Sequence, residues 1–409
     1  MSHYAKQEKF TWTPVKPPKV APEFKQIEAV RVMGPGETKE FIKRFYFTSG
    51  NNARYSLLLL GPPGCGKSTA TVEASQEIAS LLGKEFVKYD ESRIREILAA
   101  PDRYFIFVDF RLTEVSELSD LIGIPREDSG YVVYKPLGWI KALSRCSGVL
   151  FLDEITNVQR LDVISASYKL LLDKTAGFTK FSEDVLIIAA GNTPEQSSVA
   201  NMLPAPLVNR CLVIEVVRPT VESWHDWMNA HYSVWDKRTL AYLMRFQGDL
   251  LRVPTNVETL ENYPTPRTWT QVAVRLTEKH LEPFRRQVVT GLLGKEVGEK
   301  FLALADAKLP TFDELCENPS KFRLLSIDEK YMASVEIGEQ IMKSAKNIEK
   351  ATNLLKLIAQ ENRELIVFIA ATAGAKYDAA VFNALCKIPE VLTAFKLAGK
   401  LKFELQTGY

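Results

Sequence analysis

The apolar run Ser56-Leu57-Leu58-Leu59-Leu60 leads directly into Gly61-Pro62-Pro63-Gly64-Cys65-Gly66-Lys67-Ser68, and a helical stretch starts at Thr69. No other feature of the chain constrains its fold as tightly. The pattern G-x-x-x-x-G-K-[ST] is met by Gly61, Gly66, Lys67 and Ser68. It requires a buried strand to enter a glycine-rich turn, and the turn to open a helix. Glycines let successive backbone N–H groups wrap an anion, and the helix N-terminus adds partial positive charge. The side chains fit phosphate chemistry: Lys67 can reach β- and γ-phosphates, and the Ser68 hydroxyl can reach a bound Mg²⁺. With ordinary Gly, Lys and Ser/Thr usage, a chance match in such a chain has odds of about one in a hundred. The strand before and the helix after lower those odds further. Gly61, Pro62, Pro63, Gly64, Cys65, Gly66, Lys67, Ser68 and Thr69 are therefore expected to line a nucleotide.

The surrounding pattern agrees. Short β-rich runs at 55–60, 104–110, 148–152, 185–190 and 212–217 alternate with helical stretches, clearest at 69–82 and 162–172. Several runs are apolar almost throughout, as in strands buried on both faces. The expected fold class is α/β: a parallel sheet with helices on both faces, as in phosphate-loop NTPases, then a helical lid domain and a helical C-terminal extension. Residues 1–27, rich in Pro and Lys, read as an extended arm, and 28–219 as the nucleotide-binding domain. Past Arg218-Pro219-Thr220 the β-runs stop. Helical readings follow at 221–250, 269–280, 335–361 and 364–385, giving a lid at 220–286 and an extension at 287–409.

Further chemistry is expected at strand ends. Gly148-Val149-Leu150-Phe151-Leu152-Asp153-Glu154 is an apolar strand closing on two carboxylates, placed where ligands bind in parallel sheets. Asp153 would support Mg²⁺ through its water shell, and Glu154 would polarise the attacking water. The run 185–190 ends in Gly191-Asn192. There Asn192 could orient that water, although in isolation it reads as a turn-forming residue. Arg210 follows Leu207-Val208-Asn209 just before the last strand, and Arg267 opens a helix within Pro264-Thr265-Pro266-Arg267-Thr268-Trp269.

In this order the motifs resemble those of an AAA+ ATPase and, within that superfamily, the MoxR-like group. Asp120-Leu121-Ile122-Gly123-Ile124-Pro125, Tyr134-Lys135-Pro136-Leu137 with Trp139, Leu170-Leu171-Leu172-Asp173-Lys174 and Pro264–Trp269 carry the closer match. The resemblance spans about 28–285. It implies that Gly61–Ser68 is the Walker A motif, Asp153-Glu154 Walker B, Asn192 sensor 1, Arg210 an arginine finger acting on a neighbouring subunit, and Arg267 sensor 2. It also implies ATP and Mg²⁺ as cofactors, a homo-oligomeric ring of six, and chaperone-like remodelling of a protein substrate or of a partner bearing a von Willebrand-type domain. Two positions depart from the group: Thr156 replaces its usual Asn, read as a flanking change, and Cys211 replaces its usual Phe. Hairpins like that expected at 174–180 face the central pore of related rings, which makes Phe178 and Lys180 candidate substrate contacts.

The 52 basic and 50 acidic residues leave a net charge of only +2. A nucleic-acid motor or restriction-type translocase using ATP or GTP is thus the alternative reading rather than the leading one. Apolar runs fall short of the roughly 18 residues a membrane span needs. Five scattered cysteines without C-x-x-C spacing point to a reducing, cytoplasmic setting. Cys65 within the loop reads as a tolerated small residue rather than an oxidation switch.

Overall fold

The computed structural model describes residues 33–48, 55–192, 203–253, 262–344, 346–374 and 378–398. The arm expected at 1–27 lies outside them. The chain divides into two compact units, Met1–Pro219 and Thr220–Tyr409.

In the first unit, helix α1 (Pro35–Thr48) precedes β1 (Ser56–Leu60) and α2 (Lys67–Leu81). Then come β2 (Glu85–Lys88), α3 (Ile94–Ala99), β3 (Tyr104–Arg111), α4 (Ser119–Ile122), β4 (Ile124–Asp128), β5 (Tyr131–Lys135), α5 (Gly138–Leu143) and β6 (Ser147–Asp153). The unit finishes with α6 (Leu161–Asp173), β7 (Thr175–Ala176), β8 (Thr179–Lys180), β9 (Val185–Gly191), α7 (Ala205–Val208) and β10 (Cys211–Glu215). Six strands form one parallel sheet in the order β10-β1-β9-β6-β3-β2.

Burial on both faces explains the unbroken apolar strands. In β1, Leu58 enters one core with Leu150, Leu152, Ile187 and Ala189, while Leu57 and Leu59 enter the opposite core with Val149, Phe151 and Ile188. Alternation is thus present in the packing although Leu57 to Leu60 are all apolar. Residues of α1 and α2, including Ile42, Ala74 and Ile78, cover the second face. The first is covered from α5 and α6, by Trp139, Ile140 and Leu170 among others.

Three features depart from the sequence expectation. The charged edge strand β2 was not anticipated; its Glu-Phe-Val-Lys run buries only Val87. The first expected helix starts at Lys67 rather than Thr69, because the phosphate loop itself provides the opening turn. Finally, β4 and β5 form an antiparallel hairpin in a stretch to which the sequence reading assigned no strands. Its turn, Ser129-Gly130, has positive φ at both residues, 54° and 83°, the geometry that matches strand twist in a two-residue hairpin.

The second unit is helical. It begins with α8 (Val221–His231), α9 (Arg238–Arg245) and α10 (Pro266–Arg275), and a single apolar core runs from Val221 to Phe395. Trp224 and Trp235 meet edge to face at 5.6 Å within it. The stretches read as long helices are broken. The first divides into Ile327–Lys343, Lys346–Lys350 and Thr352–Glu361; the second into Arg363–Thr372 and Ala379–Cys386.

Candidate functional site

Because β1, β9 and β6 are neighbours and parallel, their C-terminal ends deliver Gly61, Asn192 and Asp153 to one edge of the sheet. The loop after β1 is tied down there: Gly61 N–H donates to Gly191 O at 3.2 Å and Cys65 N–H to Pro62 O at 3.4 Å. Gly66 holds φ 100°, and a Cβ at this position would also lie 3.1 Å from the Pro35 side chain. A residue with a side chain is therefore strained here and crowds Pro35 as well. Gly66 gives α2 no side-chain cap, so the first-turn N–H groups are left for a ligand to use.

Lys67 is 8% exposed. Its ammonium donates to Gly61 O at 2.6 Å, Pro62 O at 3.0 Å and Asn192 Oδ1 at 3.2 Å. Ser68 Oγ donates to Asp153 Oδ2 at 3.1 Å. Asp153 Oδ1 accepts the Glu154 backbone N–H at 2.9 Å, which fixes the turn in which Glu154 takes φ 60°, ψ 32°. A non-glycine residue in the left-handed region is uncommon. Here it turns the chain sharply off the strand end, so that Glu154 and Asp153 leave β6 in different directions. Glu154 Oε2 accepts the Thr113 hydroxyl at 2.8 Å, and Arg111 Nε lies 4.0 Å from Oε1.

Lys67 is thus hydrogen-bonded to Asn192 and Ser68 to Asp153, the two pairs linked through the Lys67–Ser68 backbone, with Glu154 attached through the backbone of Asp153. Arg210 follows α7 and Arg267 is the second residue of α10 in the other unit; both are exposed. Among the described residues neither guanidinium makes a hydrogen bond or ion pair. Sequence reasoning gave no role to three residues here, although it noted Thr156 as a flanking change. Thr113 carries no motif signal. Thr156, which stands two places past Glu154, accepts the Asn192 N–H at 2.9 Å. Asp109, on the strand beside β6, was also passed over; burial and the neighbouring Asp153 push its carboxyl up. Cys65 is 1% exposed, and burial raises its thiol, so it stays protonated and inert.

The donor set fits a nucleotide with its metal. Ser68 Oγ and Asp153 Oδ2 are paired hard oxygens of the kind Mg²⁺ prefers. The Lys67 ammonium rests on loop carbonyls that a phosphate oxygen can replace.

Residues 57–218 match the sequence model of the ATPase family associated with various cellular activities, AAA. These residues have the AAA domain fold. The match covers the loop, both carboxylates, Asn192 and Arg210, and the AAA domain is a nucleotide-binding fold. Among solved structures, the chain is similar to the FIGL-1 AAA domain in complex with ADP at 17% identity, covering 61% of this chain and 70% of that one, with TM-score 0.31. It is similar to PCH-2 of C. elegans at 12% identity, covering 67% and 61%, with TM-score 0.27. NtrX from Brucella abortus shares 15% identity over 84% and 69%, with TM-score 0.34. No curated protein matches the chain. Among the described residues of the AAA domain and the helical unit, no helix is long and apolar enough to cross a membrane.

The AAA domain also carries an unusual exposed surface. Phe178, at the tip of the β7–β8 hairpin, is 81% exposed, and Tyr131 and Val132 on β5 are 76% and 71% exposed. Phe178 meets Tyr134 at 5.7 Å between ring centroids, and the Lys169 ammonium lies 5.0 Å over its ring. The two hairpins thereby present one aromatic face.

Proposed function

We propose that the chain is a Mg²⁺-dependent ATPase that works as a MoxR-like hexameric ring and remodels a partner protein. The observation that carries this reading is the two hydrogen-bonded pairs, Lys67 with Asn192 and Ser68 with Asp153, brought together at the ends of three adjacent parallel strands. The loop N–H groups and Lys67 bind the phosphates. Ser68 and Asp153 hold the metal, which supplies charge neutralisation on the phosphoryl oxygens when bound. Glu154 accepts a proton from the attacking water, and Asn192 orients that water beside the Lys67 ammonium. Arg210 reaches the site of a neighbouring copy and Arg267 acts from the helical lid, 220–286; both stabilise charge on the γ-phosphate. The aromatic face of Tyr134 and Phe178, with Lys180 beside it, is the surface offered to the protein substrate. A large exposed apolar patch is the usual mark of a protein contact.

The test is ATP hydrolysis by wild type, Glu154→Gln and Arg210→Ala, alone and mixed, with oligomer size followed in parallel. The reading expects Glu154→Gln to assemble without turnover, and activity to return when the two variants are mixed. Full activity of Arg210→Ala as a monomer would overturn the shared-site ring. Pull-down on the ATP-loaded Glu154→Gln chain is expected to enrich a protein. ATP turnover stimulated by DNA or RNA and falling steeply with salt would favour a nucleic-acid motor instead.

A further inference from the structure

Thr156 lies in the short 3-10 turn Ile155–Asn157 that follows Glu154. It is 3% exposed, yet its hydroxyl is committed outside its own turn, to the Asn192 backbone N–H at 2.9 Å. The neighbouring residue makes room for it. A Cβ on Gly191 would fall 2.6 Å from Thr156 Cγ2 and 2.8 Å from its Oγ1. The Thr156 side chain thus fills the space that the absence of a side chain at Gly191 leaves. Gly191 O in turn accepts the Gly61 N–H, and Asn192 Oδ1 accepts from Lys67. One end of Thr156 is continuous with the Glu154 turn, whose Asn157 N–H returns to Glu154 O at 2.9 Å. The other end fixes the residue that touches Lys67.

We infer that Thr156 is a positioning residue: its hydroxyl sets Asn192 against Lys67 and ties that asparagine to the turn bearing Glu154. This deepens the ATPase reading and rests on it. Two features separate the role from simple core filling. A packing residue needs no hydroxyl, because valine has nearly the same shape. A packing residue also has no reason to act through Asn192.

The experiment uses the full chain, with ATP turnover, binding of a fluorescent ATP analogue and thermal melting measured on each variant. Thr156→Val keeps the shape and removes the acceptor. Its kcat is expected to fall about tenfold, as for one lost hydrogen bond to an oriented group, while analogue affinity stays within about twofold. Thr156→Ser restores the acceptor and is expected to recover most of kcat. Added to Asn192→Ala, Thr156→Val is expected to cost nothing more. The inference is overturned if Thr156→Val turns over ATP like wild type, if Ser fails as badly as Val, or if Val costs a full tenfold in the Asn192→Ala background. Glu154→Gln is run alongside. Wild-type turnover that is lost in Glu154→Gln but kept in Thr156→Val overturns this inference alone. A wild type without turnover overturns the ATPase reading as well.

Discussion

Lys174 gives the sharpest quantitative test of how the β7–β8 hairpin is held. It closes α6 in the left-handed conformation, φ 49°, ψ 44°, and its Nζ donates to Val185 O at 3.0 Å. Burial dominates its titration and brings the ammonium down from an ordinary 10.5 to about 8; Lys180 adds to the depression, and Glu183 and Asp184 oppose it. Below pH 8 the lysine is charged in both folded and unfolded chains, and the folded chain carries the full cost of burying that charge. Between pH 8 and 10.5 the unfolded chain binds more protons, so stability rises with pH. The gap from 8 to 10.5 corresponds to about 3 kcal/mol, of which about 2 kcal/mol returns between pH 7 and 9.5. The neutral amine can still donate to Val185 O, so the hydrogen bond survives the titration.

Lys174→Met keeps the length of the stem and removes the charge. It leaves Val185 O without this donor at every pH, a constant cost of about 1–3 kcal/mol. The pH-dependent part is therefore isolated in the difference between wild type and variant. Urea unfolding followed by circular dichroism at pH 7, 8.3 and 9.5 measures it. Wild-type stability relative to the variant is expected to increase by about 2 kcal/mol across that range. A flat difference would mean that Lys174 is solvated in the folded chain, and one that falls with pH would mean that its charge is favoured there; either would refute the reasoning.

Three further outcomes follow from the site itself. Ser68→Ala removes the hydroxyl paired with Asp153, so nucleotide affinity should weaken about tenfold with Mg²⁺ present and change little in EDTA; equal weakening in both, measured by analogue titration, contradicts a metal role. Thr113→Val removes the hydroxyl that donates to Glu154 Oε2. Because this contact is exposed, only about 1 kcal/mol is at stake, and kcat should rise about fivefold with unchanged affinity. A fall in kcat would instead make Thr113 part of the active arrangement. Cys65, buried with its thiol raised, should resist iodoacetamide at pH 7.5 while the chain stays folded, and mass spectrometry showing rapid labelling at this residue would contradict that.

What could be read in the sequence follows the strength of the local constraint. The central strands were legible because burial on both faces forces unbroken apolar runs, as in Val149–Leu152. The loop was legible because few residue types tolerate its backbone, Gly66 above all. The helical region was harder. The stretch 335–361 keeps its apolar spacing through two breaks, one where Ser344 turns extended and Asn347 Nδ2 donates to Gln340 O. Short polar side chains there compete with the helix for backbone partners. The break within 364–385 had a signal that periodicity hid: Gly374 at φ 73° and Asp378 capping the next helix. The β4–β5 hairpin had its turn signal in Ser129-Gly130, but all ten strand residues are exposed, so no burial pattern marked them.

The site divides along the same line. Lys67, Asn192 and Thr156 form a network held by the sheet, in which Lys67 Nζ, Asn192 Oδ1 and N–H, and Thr156 Oγ1 each have a defined partner. Such a network can hold a water or a phosphate oxygen to a fraction of an ångström. Arg210 and Arg267 stand exposed at a loop and a helix start, and among the described residues no carboxylate neutralises either. An arginine that must meet charge developing on a γ-phosphate gains from this, because an ion pair in the resting chain would have to be broken before it could act. On the proposed reading the buried half binds and orients the nucleotide, and fast hydrolysis depends on an exposed cation, Arg210, reaching it from a neighbouring copy. This predicts that Arg210→Ala lowers kcat much more than nucleotide affinity, whereas Lys67→Ala lowers affinity first. The reverse order, measured by analogue binding and ATP turnover on the same preparations, would remove Arg210 from the reaction.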